Sequence, residues 1–268
     1  MFKRISFTVF IAILFLSRST VIAQQAPENT IPKSNEKIQI FLQSLISSDR
    51  GRMFTAQSEE ELRDKLKELE EMTGGHRQLV VQLAYFVMRA KNMNEGSLPG
   101  FIIDQLKISK KDIAFALIPF LKTNNEQLLK KGVYRILPAA DISKNKISRC
   151  DFSIYELVLT ENKPNIPEGL VKYMLLRNAD SALSVMAKVY LNKNEAEALI
   201  DEIKSKDKLG VWESLSNNPN WWVRLYTAEK LSRNWREDKG YKLTQKLKND
   251  DNSLVRDALS KVKLPSKE

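Results

Sequence analysis

Cysteine and histidine, the residues most often recruited for nucleophilic and metal chemistry, occur once each, at Cys150 and His76. A Cys–His nucleophile would need those two positions to meet in the fold. No Cys/His zinc cluster can be assembled, no two histidines can share a metal, and no disulfide can close within the chain. The simpler reading makes Cys150 a small buried apolar residue and His76 a polar residue opening a helix. Acidic side chains are plentiful, but the runs at 59–61 and 68–71 have the spacing of solvated helix faces. Glycoside hydrolysis needs two carboxylates held at a fixed separation in a cleft. A Gly-x-Ser-x-Gly elbow, a phosphate loop and a dinucleotide fingerprint are all missing from the sequence. The residues therefore point to no catalytic site, no cofactor and no metal, and an enzyme of unknown type is the least supported reading.

Two groups remain whose chemistry is recognition. All four tryptophans, Trp212, Trp221, Trp222 and Trp235, fall within 24 residues, with Arg224 among them and Arg256 soon after. Tryptophan and arginine dominate the energetic centres of protein interfaces, and large aromatics also fill gaps between packed helices. Two of the four are expected in the core, with Trp221 or Trp235 the more exposed. Trp221, Trp222, Trp235, Arg224 and Arg256 are the candidate interface. The second group is basic. Lys110, Lys111, Lys130, Lys131 and Arg135 surround one predicted hairpin, with Lys107, Lys122, Lys144, Lys146 and Arg149 close by. If the two helices align, they form a cationic patch suited to acidic envelope polymers or lipid head groups; otherwise they are a solvated convex face.

The elements that must position these residues are helical. Ile38, Phe41, Leu42, Leu45 and Ile46 recur at helical spacing. Ser58 and Glu61 have the spacing of a capping box, opening a helix that stops at Gly74-Gly75. From His76 to Lys91 the residues are apolar nearly all round, which predicts a helix sandwiched between neighbours. Ser109 opens another helix, running to about Lys122, where Pro119 predicts a kink. Asn124-Asn125 turns the chain, and Leu128, Leu129, Val133, Ile136 and Leu137 return antiparallel. The segment 138–167 is less regular, and Phe152 to Leu159 is the one stretch where a strand competes with a helix. Leu170–Leu176 and Ala182–Leu191 flank a turn at Asn178-Ala179-Asp180, and Asn194 with Glu197 is expected to cap the next helix.

The first residues carry an address. Lys3 and Arg4 precede an apolar run from Ile5 to Leu16, and Val21-Ile22-Ala23 stands before Gln24. This is the pattern of a secretory signal cleaved after Ala23. The alternative, a retained anchor, needs roughly 20 apolar residues. Export predicts a periplasmic or secreted protein and argues against nucleic acid as the partner of so basic a chain. The formal charge of +10 falls to about +7 once Lys3, Arg4 and Arg18 leave with the signal. No later run is long and apolar enough to span a bilayer, so no transmembrane segment is expected in the mature chain.

The most specific pattern lies in the tail. Asn217-Asn218-Pro219-Asn220-Trp221-Trp222-Val223-Arg224 aligns with Asn249-Asp250-Asp251-Asn252-Ser253-Leu254-Val255-Arg256 at an offset of 32. Each copy follows a short helix and precedes small and apolar residues. A unit of helix, Asn/Asp turn and helix cannot bury its apolar face alone, so such units stack. These residues resemble the HEAT repeat family, whose motif is an acidic or amide turn, then Val-Arg, then small residues. Residues 109–137 and 168–191 match in pattern but lack the arginine. The resemblance implies that Arg224 and Arg256 brace the turn or the neighbouring repeat, with Asp250 and Asp251 as their natural partners. The expected architecture is all-α, a superhelical stack of antiparallel helical hairpins. Its expected divisions are a signal peptide (1–23), a flexible leader (24–34), an N-terminal helical region (35–108) and HEAT-like repeats (109–264). The function expected is non-catalytic binding or scaffolding of a macromolecular partner, most simply a protein. The alternative is recognition of an anionic glycan, lipopolysaccharide or membrane surface by the basic patch.

Overall fold

The computed structural model describes residues 31–47, 53–140, 152–163, 165–205, 208–234 and 238–262. The expected export signal, most of the leader, Cys150, Lys144, Lys146, Arg149 and Trp235 lie outside the described residues. The fold is all-α. The described residues hold no strand, only an isolated bridge between Ile46 and Phe54.

Helix α1 (Glu36–Ser44) starts where Asn35 accepts the amides of Lys37 and Ile38. Helix α2 (Glu59–Thr73) is capped by Ser58 and ends on Gly74 in the left-handed conformation, as the Gly-Gly pair suggests. The capping box is only half formed. Glu61 accepts the amide of Gln57 at 2.8 Å, one residue before the cap, while Ser58 accepts the amide of Glu61. Helix α3 (His76–Met88) buries eight side chains and packs against α1, α2, α4 (Met93–Gln105) and α5 (Lys110–Leu117), as its all-round apolarity requires. Its buried Gln82 accepts the amide of Asn35 at 2.7 Å and donates to the carbonyl of Lys33. The Tyr85 hydroxyl donates to the carbonyl of Pro32. A polar group inside an apolar helix must find partners, and these pin Pro32, Lys33 and Asn35, on either side of the end of the expected leader at residue 34, to α3.

Pro119 ends α5 rather than bending it. The chain tightens there into a 3-10 segment (Ile118–Lys122), because proline has no N–H to continue the α-helical ladder. A π-helical segment (Leu128–Val133) then leads into α6 (Tyr134–Ala140) and packs on α3. Gly132 permits that approach: a Cβ there would stand 2.7 Å from the carbonyl oxygen of Ala84. The ambiguous stretch after 152 is helix α7 (Ser153–Glu161), with Ile154, Tyr155, Val158 and Leu159 all buried at helical spacing.

Helices α8 (Glu168–Arg177) and α9 (Ala179–Tyr190) share Asn178, which ends one and caps the other. Helix α10 (Lys193–Lys204) is capped by Asn192 with Glu195 in a complete capping box, not by Asn194 with Glu197. The tail follows as α11 (Lys208–Leu215), α12 (Trp221–Asn234), α13 (Asp238–Lys248) and α14 (Ser253–Ala258). Helix α12 is the hub of this half, packing on α8, α9, α11, α13 and α14. No helix among the described residues is long and apolar enough to cross a membrane.

Candidate functional site

The 32-residue repetition in sequence is also a repetition of hydrogen bonds. Asn218 Oδ1 accepts the amide of Asn220 at 2.9 Å, and Asp250 Oδ1 accepts the amide of Asn252 at 2.9 Å. The Asn217 and Asn249 amides donate back to the carbonyls of Glu213 and Gln245. Arg224 Nη1 donates to the carbonyls of Asn218 and Pro219 at 3.0 and 3.1 Å. Arg256 Nη1 donates to those of Asp250 and Asp251 at 2.6 and 2.9 Å. Each arginine thus ties down the turn that precedes it.

Arg224 does more. Its Nε and Nη2 grip both oxygens of Asp250, at 2.7 and 2.9 Å, and Nη2 also pairs with Asp251. Burial pushes the Asp250 carboxyl up, but the Arg224 hydrogen bond, the Asn252 amide and Asp251 together hold it below the usual range. The Arg224 guanidinium is correspondingly raised, chiefly by its bond to Asp250. Arg224 therefore links its own turn to the next one, and its side chain is 13% exposed.

Beside this brace lies a groove of about 780 Å³ between α9, α10, α11 and α12. Tyr226 and Lys230, one turn apart on α12, both reach Asp180 near the start of α9. The Tyr226 hydroxyl donates at 2.8 Å and the Lys230 ammonium pairs at 2.8 Å, lying 5.4 Å over the Tyr226 ring. Burial, with the hydrogen bond to Asp180, raises the Tyr226 hydroxyl well above its ordinary pKa. Trp212, Ile200 and Ile203 supply apolar wall, and Ser181, Ser184 and Lys204 supply polar rim. Helix α10 fully buries only Leu199, leaving Ile200 and Ile203 half-covered over the opening. A second groove of about 510 Å³ shares Ser184, Ile200 and Lys204 and extends toward Lys188 and Lys193. The size is that of a ligand site. Its groups can pack and hydrogen-bond a guest. Among the described residues no three His, Cys, Asp or Glu side chains are grouped to hold a metal ion.

The sequence candidates are thus distributed. Trp222 is 1% exposed, in the core, and so is not available to a partner. Trp221 is half-buried at the start of α12. Trp212, which the sequence ranked behind Trp221 and Trp235, is the tryptophan that lines the groove. Arg224 is committed to the brace; Arg256 is exposed.

The basic residues have separate neighbours. Lys110 donates to the Ser153 hydroxyl at 2.6 Å. Lys111 lies 5.8 Å over the Phe115 ring, beside Arg77, which pairs with Asp112. Lys130 pairs with Glu126 on its own segment, and Lys131 and Arg135 are exposed. No protein-family model, curated protein or solved structure matches the chain.

Proposed function

We propose that this is an exported, non-catalytic binding protein that holds a macromolecular partner, most simply a protein segment, in the groove between α9, α10, α11 and α12. The scaffold would be a HEAT-like stack of helical hairpins, a reading supported by the bond-for-bond repetition of the Asn218 and Asp250 turns. Export rests on the Lys3-Arg4, apolar and Val21-Ile22-Ala23 pattern at the amino terminus.

The observation that carries the binding reading is the groove itself: an indole, two half-covered isoleucines and an oriented Asp180–Tyr226–Lys230 set facing one opening. A protein segment can supply apolar side chains to the wall and backbone polar groups to the rim. Asp180, Glu197 and Asp201 alternate with lysines around the two openings, which favours such a guest over an anionic polymer.

Capture from envelope extracts tests this. The wild-type protein is expected to retain one specific protein, and Trp212→Ala is expected to lose it while melting at nearly the same temperature. Equal capture by Trp212→Ala, or capture only of anionic polymer that washes off in moderate salt, would move the site to another surface.

A further inference from the structure

Arg256 occupies in the last turn the place that Arg224 occupies in the turn before, and the two guanidinium groups differ in one respect. Both are anchored through Nη1 to two carbonyls of their own turn. Arg224 then spends Nε and Nη2 on the carboxylates of the following turn. The same edge of Arg256 meets no acceptor among the described residues, and the side chain is exposed. Two bonds through Nη1 fix the plane of the group, so its open edge is oriented for a bidentate carboxylate.

We propose that this edge docks the acidic face of helix α2 on a second copy of the chain, repeating between molecules the contact Arg224 makes within one. The chain is basic overall, yet α2 carries seven acidic residues against three basic ones. Glu60, Asp64 and Glu68 are exposed and follow at four-residue spacing, which places them in one row along the helix. Arg63 and Lys67, three residues on from Glu60 and Asp64, offset part of this charge, and seven acidic against three basic residues leave the helix net negative. Met72, 40% exposed at the end of the same row, offers apolar area beside it. Lys242 and Lys246 are exposed on α13, which packs on α14, and Lys261 is exposed just after α14, against the exposed Asp251 and Asp257 in the same stretch. Helix α2 packs on α1 and α3, whereas α14 packs on α12 and α13, so the two surfaces belong to different parts of the body. The contact is therefore heterologous, and each copy can give one surface and receive on the other. It goes beyond the groove reading and stands apart from it.

Sedimentation velocity on the full protein, over about a hundredfold range of concentration at low and high salt, tests the contact. The mean mass is expected to rise with concentration at low salt and to return to that of the monomer at high salt. Arg256→Glu, and separately the triple variant Glu60→Lys, Asp64→Lys, Glu68→Lys, should each weaken association about tenfold or more. An equimolar mixture of the two should associate again, because the triple variant keeps its Arg256 and the Arg256→Glu variant keeps its acidic α2. Arg256→Lys keeps the charge but loses the fork and should fall between. A wild-type monomer throughout, unchanged association of Arg256→Glu, or failure of the mixture to associate would overturn the proposal. The surface substitutions on α2 carry the test alone if Arg256→Glu does not fold.

Discussion

Replacing Arg224 with alanine removes the group that joins two consecutive turns. The Asp250 side chain, 6% exposed, would be left with the Asn252 amide as its main donor. Breaking a buried ion pair from one side costs about 3–5 kcal/mol. The ion pair to Asp251 adds little, since that carboxylate is 87% exposed. Water can reach part of the vacated site, so the low end of the range, about 3 kcal/mol, is the expected loss. For a body of this size that lowers the melting temperature by about 6–12 °C. Arg256→Ala is the internal control. It breaks the same two bonds to carbonyls but leaves no buried carboxylate, and should cost about 1 kcal/mol or less.

The pH dependence follows from the depressed Asp250 carboxyl. A carboxyl lowered in the folded state stabilises the fold above its unfolded pKa of about 3.9, and that stability is lost as pH falls through the lower folded value. In Arg224→Ala the largest source of the lowering is gone and burial acts with less opposition. Acidification then relieves the variant while it weakens the wild type, so the difference between them should narrow below about pH 4. Thermal unfolding followed by circular dichroism at neutral and acid pH measures both effects. Equal losses for Arg224→Ala and Arg256→Ala, or a difference independent of pH, would refute the bracing argument.

Gly132→Ala should destabilise by about 1–3 kcal/mol, because its Cβ meets the Ala84 carbonyl at 2.7 Å and the π-helical segment must retreat from α3. The helix propensity gained, about 1 kcal/mol, does not offset this; a higher urea midpoint would show that the two segments are not in close contact. Glu229 on α12 is buried, and burial raises its carboxyl despite Arg233 and Lys172. A raised carboxyl contributes its stability below the unfolded pKa and loses it as pH rises through the folded value. Glu229→Gln should therefore raise the melting temperature near neutral pH and give no gain near pH 4, the reverse outcome pointing to a favourable ion pair with Arg233.

What was legible in the sequence follows the range of each signal. The Arg224 brace could be anticipated because the turn and its arginine recur at an offset of 32, and Asp250 and Asp251 stand in the second turn as candidate partners. The caps were legible in kind but not in register, since Asn192 and Asn194 each precede a glutamate by three residues and only packing selects the first. Helix α4 gave no clean period: Gly96, Pro99 and Gly100 interrupt its apolar pattern, and the tertiary contacts of Leu98, Ile102 and Ile103 carry it instead. The groove was not legible at all. Asp180 lies 46 residues from Tyr226, and nothing local marks either as the other's partner. Nor does the spacing of Trp212 and Trp222 say which indole faces the core.

Helix α12 is where scaffold and site become one object. Its first turns hold Trp222 in the core and Arg224 in the brace, and the next turn presents Tyr226 and Lys230 to Asp180 across the groove. A helix of 14 residues transmits a rotation at one end to every side chain along it, so the brace also sets the angle at which Tyr226 meets α9. Trp212 has no such double duty: it belongs to α11, which meets the body mainly through α12 and α13. The two kinds of residue should therefore separate experimentally. Loss of Arg224 weakens stability and groove binding together, because the wall shifts with the brace. Loss of Trp212 removes only the surface offered to a guest. Retention of full binding in a destabilised Arg224→Ala protein would mean that the groove is set by the α9–α10 pairing, with α12 only resting against it.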